Sequence, residues 1–186
     1  MNRYTKNKIT VFLSCLFLAT HLGAEKFLID DFNSNSNSKW HYVSDQVMGG
    51  VSQGNLDFDY ENSDGYAHLK GNVSTENNGG FIQFRADLDV PTTSKINGVY
   101  LKVMGNNQKY FVHMRTKGTF LPWQYYQSAF KTSNSWQTIK LPIDTFAPSS
   151  GWLRKNIKLS SVKSIGIVAF GRDHIADLRV SEVGFY

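Results

Sequence analysis

The residues with the most chemical capacity fall in three short stretches. Arg85 follows a glycine pair in "GGFIQFRADL", His113 and Arg115 alternate in "YFVHMRT", and Trp123, Tyr125 and Tyr126 crowd "LPWQYYQSAF". A guanidinium pairs with carboxylates or stacks on a ring, and exposed aromatic rings form platforms for sugars or for another polypeptide. These six residues are the binding candidates. Catalysis finds less support. Glycoside hydrolysis needs two carboxyl groups held across a cleft, which spacing along strands cannot display. There is no "GxSxG" nucleophile turn, and His41, His68, His113 and His174 lack close metal-ligand spacing. Asp30, Asp31, Asp45, Glu76, Asp173 and Asp177 carry the oxygen chemistry for a calcium tying the chain ends together, as the alternative to no metal. The reading is a binding protein without catalytic residues or cofactor.

Two further stretches share a feature. "SDQVMGGVSQG" at 44–54 holds Asp45, Met48, Gly49 and Gly50, and "STENNGGF" at 74–81 holds Asn77, Asn78, Gly79 and Gly80. A phosphate-cradling glycine loop wants a strand before it, a helix after it and usually a lysine, and neither stretch supplies them. Glycine also permits the positive φ of a sharp corner. Both pairs are therefore expected to be structural corners.

The elements that must hold these residues alternate with period two. In "FIQFRADL" Ile82, Phe84, Ala86 and Leu88 take one side, and Gln83, Arg85 and Asp87 the other. "YAHLKGNV" buries Ala67, Leu69, Gly71 and Val73 in the same way, and "VYLKV" repeats the pattern at 99–103. Runs near 27–32, 56–60, 110–116, 123–130, 136–141, 164–170 and 176–186 bring the expected strands to about ten. Turn pairs "DG" at 64–65 and "NG" at 97–98 punctuate them, with "GNNQ" at 105–108 and "KG" at 117–118. "NSNSNSK" at 33–39 reads as a loop, and "GWLRKNI" at 151–157 is the one helix candidate. The pattern predicts a single all-β domain, a β-sandwich of the jelly-roll type, over residues 25–186. With the strands near 66–73, 81–88, 99–103 and 110–116 in one sheet, Tyr66, His68, Arg85, Tyr100, Lys102, His113 and Arg115 share its open face. Trp40 and Trp136 are expected in the core or at its rim.

Residues 1–24 have the layout of a signal peptide: Arg3, Lys6 and Lys8, an apolar run over 9–19, and a small-residue end at "LGA". That run is too short for a transmembrane helix. The protein is expected to be exported, periplasmic or secreted, with no integral span after cleavage. The 186-residue chain has 20 Lys and Arg against 15 Asp and Glu, but three of the basic residues and the single cysteine, Cys15, lie in 1–24. The remainder carries about +2 with its charges interspersed, which gives no electrostatic footprint for nucleic acid.

In order and spacing, "DDF" at 30–32, Trp40, "VSDQVMGGVSQG" at 43–54 and "GNVSTENNGGFIQFR" at 71–85 resemble the complex I intermediate-associated protein 30 family. So do "GVYLKVMG" at 98–105, "YFVHMRT" at 110–116, "WQTIKLPIDTF" at 136–146 and "SIGIVAF" at 164–170. The resemblance implies a galactose-binding-like β jelly roll and a non-catalytic, chaperone-like assembly factor. The partner implied is a protein, a membrane-complex assembly intermediate or an envelope protein. A secreted carbohydrate-binding module or polysaccharide-acting protein is the alternative.

Overall fold

A strand with apolar residues at alternate positions has one face to bury, and two sheets packed face to face bury it for every strand at once. This is the arrangement in the computed structural model, which describes residues 26–33, 36–60, 65–89 and 96–186. The expected signal segment 1–24 and Asp64 of the "DG" turn lie outside the described residues.

Among the described residues twelve strands follow in chain order: β1 Phe27–Asp30, β2 His41–Ser44, β3 Gln53–Asp59, β4 Tyr66–Val73, β5 Phe81–Asp87 and β6 Gly98–Gly105. Then come β7 Lys109–Thr116, β8 Tyr126–Lys131, β9 Gln137–Pro142, β10 Ala147–Pro148, β11 Val162–Phe170 and β12 His174–Phe185. The first sheet runs β3-β4-β12-β6-β9 with β1 also paired to β12, and the second runs β10-β8-β7-β11-β5-β2. Every pairing is antiparallel. The all-β sandwich expected from the sequence is the observed fold.

The expected strands that are described are present, and β2 and β10 are additional. Both lie at edges of the second sheet and are too short to display a period of their own. Residues 151–157 form no helix, only a turn closed by the Leu153 N–H to Ser150 carbonyl bond at 3.1 Å.

The expected sharing of one sheet by β4, β5, β6 and β7 is corrected. β4 and β6 flank β12 in the first sheet, whereas β5 and β7 flank β11 in the second. Alternation assigns a residue to a face but cannot name the neighbouring strand. Tyr66, His68, Tyr100 and Lys102 therefore lie on the opposite outer surface from Arg85, His113 and Arg115.

Ala67, Leu69, Val73, Ile82, Phe84 and Ala86 are buried, as their alternation requires. At one end of this core Phe84 meets the edges of Trp40 and Phe32, with centroids 5.1 and 6.2 Å apart. Asp30 organises the group: its carboxylate accepts the Trp40 indole N–H at 2.9 Å, the Ser36 hydroxyl at 2.5 Å and the Phe32 N–H at 2.9 Å. Those bonds and the ring packing hold Phe32 at φ 53°, a left-handed conformation that costs a bulky residue about 1–3 kcal/mol. Trp40 is thus a core residue, and Trp136 is a rim residue 6.0 Å from the Tyr66 ring.

Candidate functional site

The two glycine pairs meet around one carboxylate. Asp45 is fully buried and opens the short 3-10 turn Asp45–Met48 that follows β2. Its Oδ2 accepts the Gly80 N–H at 2.5 Å, the Phe81 N–H at 3.2 Å and the Ser52 hydroxyl at 2.5 Å, while Oδ1 accepts the Ser52 N–H at 3.0 Å. Burial pushes the Asp45 carboxyl up, but the bonds from Gly80, Ser52 and Phe81 outweigh it and hold it below the usual carboxylate range. The glycines divide the work. Gly49 and Gly80 turn the chain at φ 91° and 127°. Gly50 and Gly79 leave room for the carboxylate, since a Cβ on either would collide with the Asp45 side chain. Asn77 and Asn78 bring the second corner round at φ 54° and 57°, and Met48 is exposed on the first. These corners do cradle an anion, and it is the protein's own.

This clamp anchors the start of β5 and so fixes what the second sheet shows on its outer face. Across five strands the register aligns His41, Arg85, Gly166, His113 and Gln127. The row spans roughly 19 Å, four strand spacings. Beside it run Val43, Gln83, Val168, Phe111 and Ala129 on one side, and Asp87, Ser164 and Arg115 on the other. Gly166 leaves the centre of the row without a side chain.

Aromatic rings gather at the β7 and β8 end of the row. His113 lies flat on Tyr125, centroids 4.1 Å apart and planes 11° from parallel, and Phe170 meets His113 edge-on at 5.4 Å. Burial in this stack drives the His113 pKa down to about 3, with the Gln127 side chain working in the opposite direction, so the ring is neutral near pH 7. Arg85 is exposed and makes no ion pair among the described residues. Arg115 is half-buried, its Nη2 donating to the Leu121 carbonyl at 3.0 Å. Burial, and after it the like charge of Arg85, lowers the Arg115 pKa, so the two cations share this surface.

Polar satisfaction separates the two outer faces. On the first sheet, His68 Nε2 and Lys70 Nζ meet Asp177 and Asp57 at 2.7 and 3.0 Å. The hydroxyls of Tyr66 and Tyr100 donate to Asp59 and Glu182, each at 2.7 Å. On the second sheet, His113 Nε2, Arg115 Nε and Gln127 Oε1 are buried without a hydrogen-bond partner. Such atoms are uncommon in a folded protein; the Tyr42 hydroxyl, and His174 Nε2 and Ser181 Oγ on β12, are unpartnered elsewhere, and the second sheet's outer face groups three of them.

The structure thus brings Arg85, His113, Arg115 and Tyr125 to one face. Trp123 stands apart, exposed on the loop between β7 and β8. Tyr126 is corrected: alternation that turns Tyr125 outward turns Tyr126 into the core, where it is buried with its hydroxyl on the Arg154 carbonyl at 3.0 Å. Gln83 joins Arg85 on the face as alternation required, whereas Gln127, Phe111, Phe170 and Gly166 join it unanticipated, although alternation counted from Tyr125 points to Gln127. The acidic residues weighed for calcium do not converge. Asp30 and Asp45 are committed as described, Asp173 accepts from Thr75 and Asp177 faces His68, with no metal-binding cluster among the described residues. Surface depressions of about 390 and 220 Å³ lie elsewhere, along Leu28–Lys39 and beside Ile143 and Ile157.

Residues 30–179, which contain Asp45 and both glycine corners, match the model of a known family, complex I intermediate-associated protein 30. The chain belongs to that family. The match begins at Asp30, beneath Trp40, and ends on β12, so it takes in both carboxylate anchors and every strand of the second sheet. No curated protein sequence matches this family member. Its fold is shared with the family 11 carbohydrate-binding module from Clostridium thermocellum solved in complex with a β-1,3-1,4-mixed-linked tetrasaccharide. That likeness has a TM-score of 0.68 at 12% identity, over 86% of this chain and 94% of that one. The family 11 module of the cellulosomal cellulase Lic26A-Cel5E of Clostridium thermocellum gives 0.69 at 12% identity, over 88% and 95%. An exo-β-agarase gives 0.56 at 10% identity, the likeness covering 86% of this chain and 24% of the larger enzyme.

Proposed function

We propose that this family member is a non-catalytic recognition domain that holds a protein partner, in the manner its family's name describes, on the outer face of the second sheet. The observation that carries the reading is the contrast in polar satisfaction. On one outer face His68, Lys70, Tyr66 and Tyr100 meet carboxylates, whereas the other keeps Arg85 exposed, with no ion pair among the described residues, on the same face as the unpartnered atoms of His113, Arg115 and Gln127. A partner carboxylate would pair with the exposed Arg85 guanidinium, and an arginine near the centre of an interface often contributes more than about 1 kcal/mol. His113 does not suit acid–base work near pH 7, being held neutral far below the range in which imidazole exchanges protons. With residues 1–24 as a signal peptide, the partner is an envelope or extracellular protein.

A second reading has its own support. Tyr125 lies flat over His113, a planar platform of the kind sugars stack on, and the fold is shared with a module solved in complex with a β-1,3-1,4-mixed-linked tetrasaccharide. Capture from an envelope fraction, run beside a glycan array, tests both. A protein retained by the wild type and lost from Arg85→Ala supports the first reading. Glycan binding that requires Tyr125, with no protein retained, replaces it with the second. Release of reducing sugar or unsaturated product from any glycan refutes the non-catalytic assignment.

A further inference from the structure

The loops beyond Thr116 carry a pattern that the sheet face does not use. Phe120 is 83% exposed, Trp123 62% and Trp152 94%, with Leu121 exposed between them. Exposed apolar side chains are ordinary singly, but four gathered at one end of a domain mark an interaction surface.

Backbone bonds hold them at one end of the sandwich. The Tyr125 N–H donates to the Ser149 hydroxyl at 3.0 Å, and that hydroxyl donates to the Trp123 carbonyl at 2.7 Å. The Lys117 N–H reaches the Ser161 carbonyl at 2.7 Å, and Lys163 Nζ the Thr119 carbonyl at 3.2 Å. Segments 117–125, 149–154 and 158–163 are thus stitched into one tip.

Charge identifies the occupant. Lys117, Arg154, Lys155, Lys158 and Lys163 belong to these segments and their connection, and the whole stretch from 115 to 163 has one acidic residue, Asp144. Asp144 lines a depression with Asn156 and Ile157, and Asp87 on the neighbouring strand end lies opposite Ser164, so the tip's basic residues outnumber the carboxylates around them. We infer that this tip docks on an anionic phospholipid surface, with Phe120, Leu121, Trp123 and Trp152 entering the interface and the lysines and arginine facing the headgroups. Trp and Phe beside Lys and Arg is the composition of interfacial anchors, and each basic residue near an anionic leaflet contributes about 1 kcal/mol. A second copy is a poor occupant, because a two-fold contact would set this basic patch against itself. No helix among the described residues is long and apolar enough to cross a membrane.

The path of the chain agrees. β6 and β7 are joined through residues 106–108, so Gly98 and Thr116 fall at the same end, and Phe27 pairs with Phe185, whose other neighbour is Val99. The described chain therefore begins at the end that carries the tip.

The test uses the full chain with phosphatidylcholine vesicles, with and without phosphatidylglycerol. Cosedimentation should require phosphatidylglycerol, weaken with salt, and fall about tenfold or more in Phe120→Ser with Trp152→Ser and in Lys117→Gln with Lys155→Gln and Lys158→Gln. Brominated lipid should quench wild-type fluorescence, and Trp152→Phe should remove part of that quenching, a readout independent of residues 1–24. Unchanged melting temperatures in the variants would tie the losses to the tip. Equal binding by all variants, quenching unchanged in Trp152→Phe, an oligonucleotide that binds while vesicles do not, or a dimer abolished by Phe120→Ser with Trp152→Ser would overturn the inference.

Discussion

Gly80 donates its backbone N–H to the carboxylate of Asp45, thirty-five residues earlier, at 2.5 Å. Asparagine at 45 would keep one acceptor oxygen and turn an N–H₂ toward donors, leaving some of them unpaired. Asp45→Asn should lower stability by about 2–4 kcal/mol, read as a reduced urea midpoint with unchanged m. The carboxyl is held below its ordinary 3.8 in the folded state, so its contribution is present above that value and is lost as pH falls through the folded pKa. The variant should therefore show a shallower acid limb below about pH 4, and an unaltered limb would mean that Asp45 does not carry it.

Gly49, Gly50 and Gly79 should fail for two different reasons. Gly49→Ala, with open space around the new Cβ but φ at 91°, should cost about 1 kcal/mol from backbone strain alone. Gly50→Ala and Gly79→Ala should cost more, because the new methyl displaces the Asp45 carboxylate from its donors. In an Asp45→Ala background that extra cost should shrink while the cost at Gly49 persists. Additive penalties in the double mutants would separate Gly50 and Gly79 from the clamp.

His113 predicts a second pH dependence, with the sign worked from proton binding. Its folded pKa, about 3, lies below its unfolded value of 6.5, so between these the unfolded chain binds more protons and stability rises with pH. His113→Gln should reduce the slope of stability over that window, by at most about 1.4 kcal/mol per pH unit, and change little above pH 7. Burial also lowers His68 and His174. The informative quantity is therefore the difference between wild type and variant in urea melts across pH 4–8.

Two substitutions probe the outer face without entering the core. Arg85→Ala, at an exposed position, should shift stability by less than about 0.5 kcal/mol yet weaken partner capture. Gly166→Leu would fill the open centre of the row, pressing on the Gln83 side chain, and should block capture while leaving Ile165 and Ile167 in the core. A well-folded Arg85→Ala protein that captures normally would remove this residue from the surface.

Much of this was legible in the chain because burial follows alternation. Ile82, Phe84 and Ala86 announced their side, and Arg85 the other, without any tertiary information. Which strands lie side by side was not legible, since period two is the same for every strand of a sandwich. Tyr125 and Tyr126 show the limit at single-residue scale: the two have equal claims by type, and one step of register sends one outward and the other inward. Asp45 was harder still. Its partners are backbone N–H groups and one serine, which carry no side-chain signature of an anion site, so the corners were foreseeable and the carboxylate at their centre was not.

The Asp45 cluster has a consequence for maturation. It joins the chain at residues 45, 52 and 80 in a protein whose only cysteine is Cys15, so it fills the place that a crosslink fills in many small exported domains. A staple made of hydrogen bonds needs no oxidant to form and no isomerase to correct. The domain should fold equally well with reductant present or absent, so that its stability follows acidity rather than redox potential.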